Sequence, residues 1–380
     1  MKRLVVLIYT IFALSAEIVI GASAPNAGAY SYEEKLGQMF MFGFRGGGAT
    51  TAKYAADYRQ FLKFVQTGGL GGVVLFNKDV TDNSSVRNIY NAVQLDKLTR
   101  TLQNASPLPL LVAIDQEGGG VNRLKKERGF FELPSPAQLG ELKTDDVYQM
   151  SFIQGKSLSK LGINVNFAPS LDVNINKNNP IIGALGRSFS ADYNVVITQA
   201  GAFARGMLAA GVVPCFKHFP GHGSSQGDSH KGLTDITATW TDVELEPYRA
   251  LLKDINPALV MTSHLFNEKL DSKYPASLSN AIVTKLLREK LGFNGVIISD
   301  DLQMGAITDN YSLEETLLLA INAGNDMLLF GNNLSYDRDL YGKVWQAALK
   351  LYHDGKITEQ RIDESFVRII NLKQSIDYAH

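Results

Sequence analysis

Short, almost unbroken apolar runs recur along the chain, each stopped by glycine or polar residues. They fall at 39–44, 72–76, 110–114, 164–168, 212–216, 258–261, 295–298 and 327–330. Between them lie stretches in which apolar positions repeat at helical spacing, at 146–161, 193–208, 242–252, 281–291 and 313–323. Strands that are apolar on both faces and alternate with amphipathic helices predict a parallel sheet covered on each side. Eight such units predict a closed α/β barrel of the (β/α)8 TIM type in one domain. Two more helices, about 337–353 and 358–376, are expected to finish the chain. The competing architecture is an open doubly wound sheet, but no Gly-x-Gly-x-x-Gly turn follows the first run. No linker marks a second domain, and residues 25–380 read as the barrel with its two final helices.

The first 24 residues do not share this alternation. Lys2 and Arg3 precede an apolar stretch from Leu4 to Leu14, and small residues follow as far as Ala22-Ser23-Ala24. That layout predicts a cleaved signal peptide over 1–24 and an exported protein, periplasmic or extracellular, with no stable membrane insertion after removal of the leader. An uncleaved anchor helix is the alternative, but Ser15, Ala16 and Glu17 interrupt the apolar character and the main run is short for a span. The formal net charge of −1 gives no drive toward nucleic acid or an anionic membrane. Cys215 is the only cysteine and sits in an apolar run, which excludes an intrachain disulfide and predicts an inert buried thiol.

Chemistry concentrates where the strands end. Asp115-Gln116-Glu117 follow the third run, Asp172 the fourth, Lys217-His218 the fifth, His264 the sixth and Asp300-Asp301 the seventh. A barrel gathers all of these around one mouth, and a solvated rim would be richer in Lys and Glu than in Asp and His beside glycine. The densest stretch is 217–230, with one lysine, three histidines and an aspartate spaced by glycines. Within it Asp228 and His230 stand two apart, so that the carboxylate can orient the imidazole and stabilise its charged form for acid/base work; a surface Asp-His pair is the bland alternative. Of the tandem aspartates, one can cap the following helix while the other attacks an electrophilic carbon, and spacing does not say which. Histidines 218, 222 and 230 are also potential metal ligands, although Pro220 and Gly221 argue against the helix that would align the first two. The glycines at 118–120 lack the Lys-Ser/Thr that would make them a phosphate cradle, and a tight loop bringing Asp115 and Arg123 to a polyhydroxylated ligand is simpler.

Several segments together resemble the family 3 glycoside hydrolases, in their single-domain β-N-acetylhexosaminidase branch. They are Asp115-Gln116-Glu117-Gly118-Gly119, Asn178-Asn179-Pro180 with Gly186-Arg187-Ser188-Phe189, the 217–230 stretch, Met261-Thr262-Ser263-His264, and Ser299-Asp300-Asp301-Leu302-Gln303-Met304. The resemblance covers about residues 30–335. It implies a retaining exo-enzyme acting on terminal β-linked N-acetylglucosamine of peptidoglycan fragments or chitin oligomers, without cofactor or metal. It further implies Asp300 as nucleophile and His230 as acid/base supported by Asp228. Asp115, Arg123, Arg187, Lys217 and His218 are implied as ligands of sugar hydroxyls, and His264, at the end of the sixth run, is grouped with them. Gly120 departs from the family pattern, which usually has arginine there.

Overall fold

The computed structural model describes residues 27–47, 52–84, 86–228 and 232–378. The expected leader and His230 lie outside the described residues. All eight anticipated strands are present and buried: Phe40–Gly43, Gly72–Leu75, Leu111–Ile114, Val165–Asn166, Val213–Phe219, Leu259–Thr262, Val296–Ser299 and Leu328–Phe330. Every pairing is parallel, and each strand lies beside its neighbours in sequence. Phe40 pairs with Leu328, bringing the first strand to the eighth, and a parallel bridge from Ile298 to Met327 joins the seventh to the eighth. The sheet therefore closes on itself, the solution that leaves no strand edge exposed.

Local chemistry explains where the helices begin. Ser31 and Ser312 form reciprocal capping boxes with Glu34 and Glu315, and Asn91, Asp192 and Thr358 each accept a backbone N–H in the first turn of the helices they open. Small residues let two outer helices approach closely: a Cβ on Gly206 of the helix Tyr193–Ala209 would sit 2.1 Å from Ser151 Oγ of the helix Thr144–Ser159. One segment expected as an ordinary helix differs, since Ala281–Lys290 is wound as a π-helix. The segment anticipated at 242–252 splits into a 3₁₀ turn, Asp242–Leu245, followed by the helix Glu246–Asp254, with Pro247 near its start.

Aromatic packing secures the seam where the first and eighth strands meet. Phe42 stacks on Phe330 at 5.4 Å between ring centroids, Phe44 on Phe61 at 4.4 Å, and Phe64 on Tyr341 at 5.1 Å. These contacts tie both strands to the helices Ala55–Gln66 and Leu340–His353. Losing one of these rings to alanine costs about 3–5 kcal/mol in cores of this kind. The result is a stiff wall whose carboxyl-terminal rim carries the residues of interest.

Candidate active site

A cavity of about 340 Å³ opens at the carboxyl ends of the strands, and Asp115, Arg123, Arg187, Lys217, His218 and Asp300 all line it. Five of these belong to one continuous chain of alternating charge. Arg123 Nη2 donates to Asp115 Oδ2 at 3.0 Å, and Lys217 Nζ donates to Asp115 Oδ1 at 3.0 Å. Lys217 also pairs with Glu117 Oε1 at 2.7 Å, and Arg187 grips both oxygens of Glu117 at 2.9 and 2.7 Å. Arg187 Nη2 then reaches His218 Nε2 at 3.2 Å, while His218 Nδ1 lies 2.6 Å from Asp172 Oδ2.

The electrostatics keep the members charged. Burial pushes the Asp115 carboxyl up, but Lys217 and Arg123 outweigh it and hold the group well below the usual carboxylate range. Glu117 is likewise opposed by burial and brought down to about 2 by Arg187 and Lys217. Burial disfavours charge on Lys217 too, yet Glu117 and Asp115 raise it above its ordinary value. Asp172, penalised by burial, is held below its usual range chiefly by His218. What results is a fixed array of ionic donors and acceptors in a dry wall, suited to the hydroxyls of a polyol.

The fifth strand delivers two neighbouring side chains to this array. Its register shifts between Phe216 and Phe219, the Lys217–His218 peptide is cis, and both side chains line the cavity. Beyond it, the chain is anchored residue by residue. His222 N–H donates to Asp172 Oδ1 at 2.8 Å, Asn179 Nδ2 donates to His222 O at 2.6 Å, and Asn176 Nδ2 donates to Ser225 O at 2.8 Å. His222 is buried with Nδ1 at 2.7 Å from Ser225 Oγ, and burial followed by His218 pushes its pKa down to about 4. Asp228 is half-buried further along, outside the cavity lining.

Both aspartates line the cavity, but their backbone settings differ. Asp301 Oδ1 accepts from the N–H groups of Gln303 and Gly331, each at 3.0 Å, and so ties the turn together. A Cβ on Gly331 would stand 2.4 Å from Asp301 Oδ2, so only glycine admits this contact. Asp300 reaches the cavity wall, its Oδ1 accepting the Asp301 N–H at 2.8 Å and its own N–H bound to Thr262 O at 2.9 Å.

His264 departs from the expectation that it faces a ligand. It is fully buried outside the cavity lining, with Nδ1 at 2.7 Å from Ser277 Oγ and Nε2 at 2.9 Å from Asp301 O. Both nitrogens are engaged within the wall, so it braces the turn that carries the aspartates. Conversely, Glu117 and Asp172 are structural centres of the array, although strand-end position alone marked them only as residues of the mouth. The i, i+2 spacing of Asp115 and Glu117 was the available signal for the first; the partner of Asp172 lies 46 residues away. Asp79, paired with Arg45 at 2.7 Å and Arg87 at 2.6 Å, was not anticipated either; it stiffens the rim beside Lys78 and Asn333. Among the described residues no group of three or more His, Cys, Asp or Glu is arranged to hold a metal ion.

Comparison with known proteins fits this geometry. The glycosyl hydrolase family 3 N-terminal domain matches residues 31–372. Beta-hexosaminidase A of Pseudoalteromonas piscicida is 32% identical over 371 residues, covering 90% of this chain and 61% of that protein. Beta-hexosaminidase LpqI of Mycobacterium tuberculosis is 34% identical over 356 residues, with 90% of this chain and 83% of that protein covered. Among solved structures, a family 3 beta-N-acetylglucosaminidase from Paenibacillus superposes with a TM-score of 0.80 at 34% identity, over 91% of this chain and 62% of that one. Beta-N-acetylhexosaminidase from Beutenbergia cavernae gives 0.79 at 28% identity, over 91% of this chain and 99% of that one. The chain thus spans under two thirds of some relatives and nearly all of others.

Proposed function

We propose, from the premise that the chain belongs to glycosyl hydrolase family 3, that it is a retaining exo-β-N-acetylglucosaminidase. The observation that carries this reading is the Asp300 carboxylate on the wall of the same cavity that the charged array lines. In the first step Asp300 attacks the anomeric carbon and the bond to the leaving oxygen breaks as His230, supported by Asp228, gives that oxygen a proton. In the second step His230 takes a proton from water, the hydroxide attacks the anomeric carbon, and the Asp300 carboxylate is released with net retention. Asp115, Arg123, Arg187, Lys217 and His218 hold the sugar hydroxyls and fix the anomeric carbon in line with Asp300.

The substrates are oligosaccharides ending in β-linked N-acetylglucosamine, from peptidoglycan fragments or chitin, met in the periplasm or outside the cell once the leader 1–24 is removed. No cofactor takes part. Names of relatives such as beta-hexosaminidase and beta-N-acetylglucosaminidase support the sugar. The test compares aryl N-acetylglucosaminide with aryl glucoside, with and without phosphate. Turnover of the first alone, independent of phosphate, is expected; preference for the glucoside makes the protein a β-glucosidase, and a phosphate requirement makes it a phosphorylase. Loss of activity to a chelator, restored by a divalent ion, would replace the whole mechanism by metal-assisted hydrolysis.

A further inference from the structure

One buried acid near the site is not used by the mechanism above. Glu244 lies in the turn Asp242–Leu245, is fully buried, and accepts the Gly223 N–H on Oε2 at 2.8 Å. The preceding N–H along the chain, that of His222, goes to Asp172 Oδ1 at 2.8 Å. Two buried carboxyls thus hold consecutive backbone donors at the root of the segment that runs on to Asp228. The fit is close on both sides. A Cβ on Gly221 would stand 2.5 Å from Glu244 Cβ, and one on Gly223 would stand 1.7 Å from Val173 O. Trp240, two residues before the turn, donates Nε1–H to Pro220 O at 3.1 Å and seats the turn against the same root.

The two acids are set in opposite electrical states. Asp172 is kept ionised by its partners, whereas burial first, with Asp172 adding to it, pushes Glu244 up to about 8 against the pull of Ser224 and the Gly223 N–H. Among the described residues, the charged and titratable groups that act on it are Asp172 across the root and the buried phenol of Tyr248 on the following helix.

We propose that Glu244 is a positioning residue for proton transfer, holding the root of the 221–228 segment so that Asp228 and the acid/base beyond it reach the leaving oxygen. This rests on the assignment of that segment to acid/base work. Glu244 touches neither sugar nor reacting atoms. Its effect is confined to the step that needs a proton, and it fails when the carboxyl ionises beside Asp172 and the root is pushed apart. Deprotonation of Glu244 thereby contributes to the alkaline limb of activity.

The experiment measures kcat/KM for an N-acetylglucosaminide with a poor alkyl leaving group and one with dinitrophenolate, which departs unaided. Glu244→Leu removes the acceptor and is expected to lower the first by about 100-fold and the second by under about 5-fold, within the range that general acid catalysis supplies. Glu244→Gln keeps an acceptor for Gly223 but has no proton to lose. It should restore the poor substrate near pH 6.5 and move the alkaline limb upward. Equal losses on both substrates in Glu244→Leu, or an unmoved alkaline limb in Glu244→Gln, overturn the proposal. His230→Ala is run alongside. If it shows no dependence on leaving group, the acid/base assignment fails and this inference falls with it; if it does and Glu244→Leu does not, this inference alone fails. Thermal unfolding of each variant separates loss of fold from loss of positioning.

Discussion

Opposite ends of the same strands carry two buried clusters of charge with different designs. Just before the eighth strand, Asp326 is surrounded: Oδ2 accepts from Arg288 at 2.6 Å and from Ile297 N–H at 2.9 Å, while Oδ1 accepts from Arg368 at 3.0 Å and from Ser365 at 3.1 Å. Arg361 adds a third guanidinium at 3.7 Å. Every direction around that carboxylate is filled by the protein, which clamps the helix Glu359–Gln374 across the barrel floor. At the mouth, by contrast, Asp115, Glu117 and Asp172 alternate with Lys217, Arg187 and His218, and the array borders open space. Burial and ion pairing are common to both. What marks a binding site is charge that is held in place and still has a face turned to a cavity.

That contrast can be broken at either end. Asp300→Ala should lower kcat by about 10³-fold or more while leaving the unfolding midpoint near wild type; turnover close to wild type would remove Asp300 from the chemistry. Asp326→Asn should do the reverse, costing about 3–5 kcal/mol of stability because arginines are left buried without their counter-charge. Denaturant titration measures that loss, and kcat of the folded fraction should be unchanged. A smaller effect is expected for Arg187→Lys, which keeps the charge but loses the two-pronged grip on Glu117: kcat/KM should fall about 10- to 100-fold. Unchanged catalysis there would demote the array to scaffolding.

A last test sharpens the comparison with a buried cation that pairs with no carboxylate among the described residues. Lys373 donates to Gln38 Oε1 at 2.5 Å, and burial pushes its pKa down to about 7. In the unfolded chain the group titrates near 10.4. Between about 7 and 10.4 the unfolded state binds more protons, so stability should rise with pH across that window. Below 7 the full penalty applies. Lys373→Met should therefore stabilise the protein most at pH 6 and hardly at all at pH 10.5, checked by chemical denaturation at both. A gain that grows with pH would contradict the assigned burial cost.

The strands were legible because a doubly covered parallel sheet demands apolar residues at nearly every position, and Val, Ile, Leu and Phe supply them. The mouth was legible in part because strand ends must carry whatever chemistry a barrel has. Partnerships across strands were not. Nothing local marks Asp172 as the acceptor for His218, or Glu244 as the acceptor for Gly223, since each pair is made by the closure of the barrel. His264 misled for the same reason: its position at a strand end is that of a ligand-facing residue, and only the fold shows Ser277 and Asp301 occupying both ring nitrogens.

Cys215 adds an experimental handle. It is the sole thiol of the chain, fully buried in the fifth strand two residues before Lys217, and burial raises it well above the usual thiol range. A soluble thiol reagent can reach it only when that strand parts from its neighbours. The labelling rate of the native protein therefore clocks the opening of the barrel wall beneath the candidate site, without a single engineered residue.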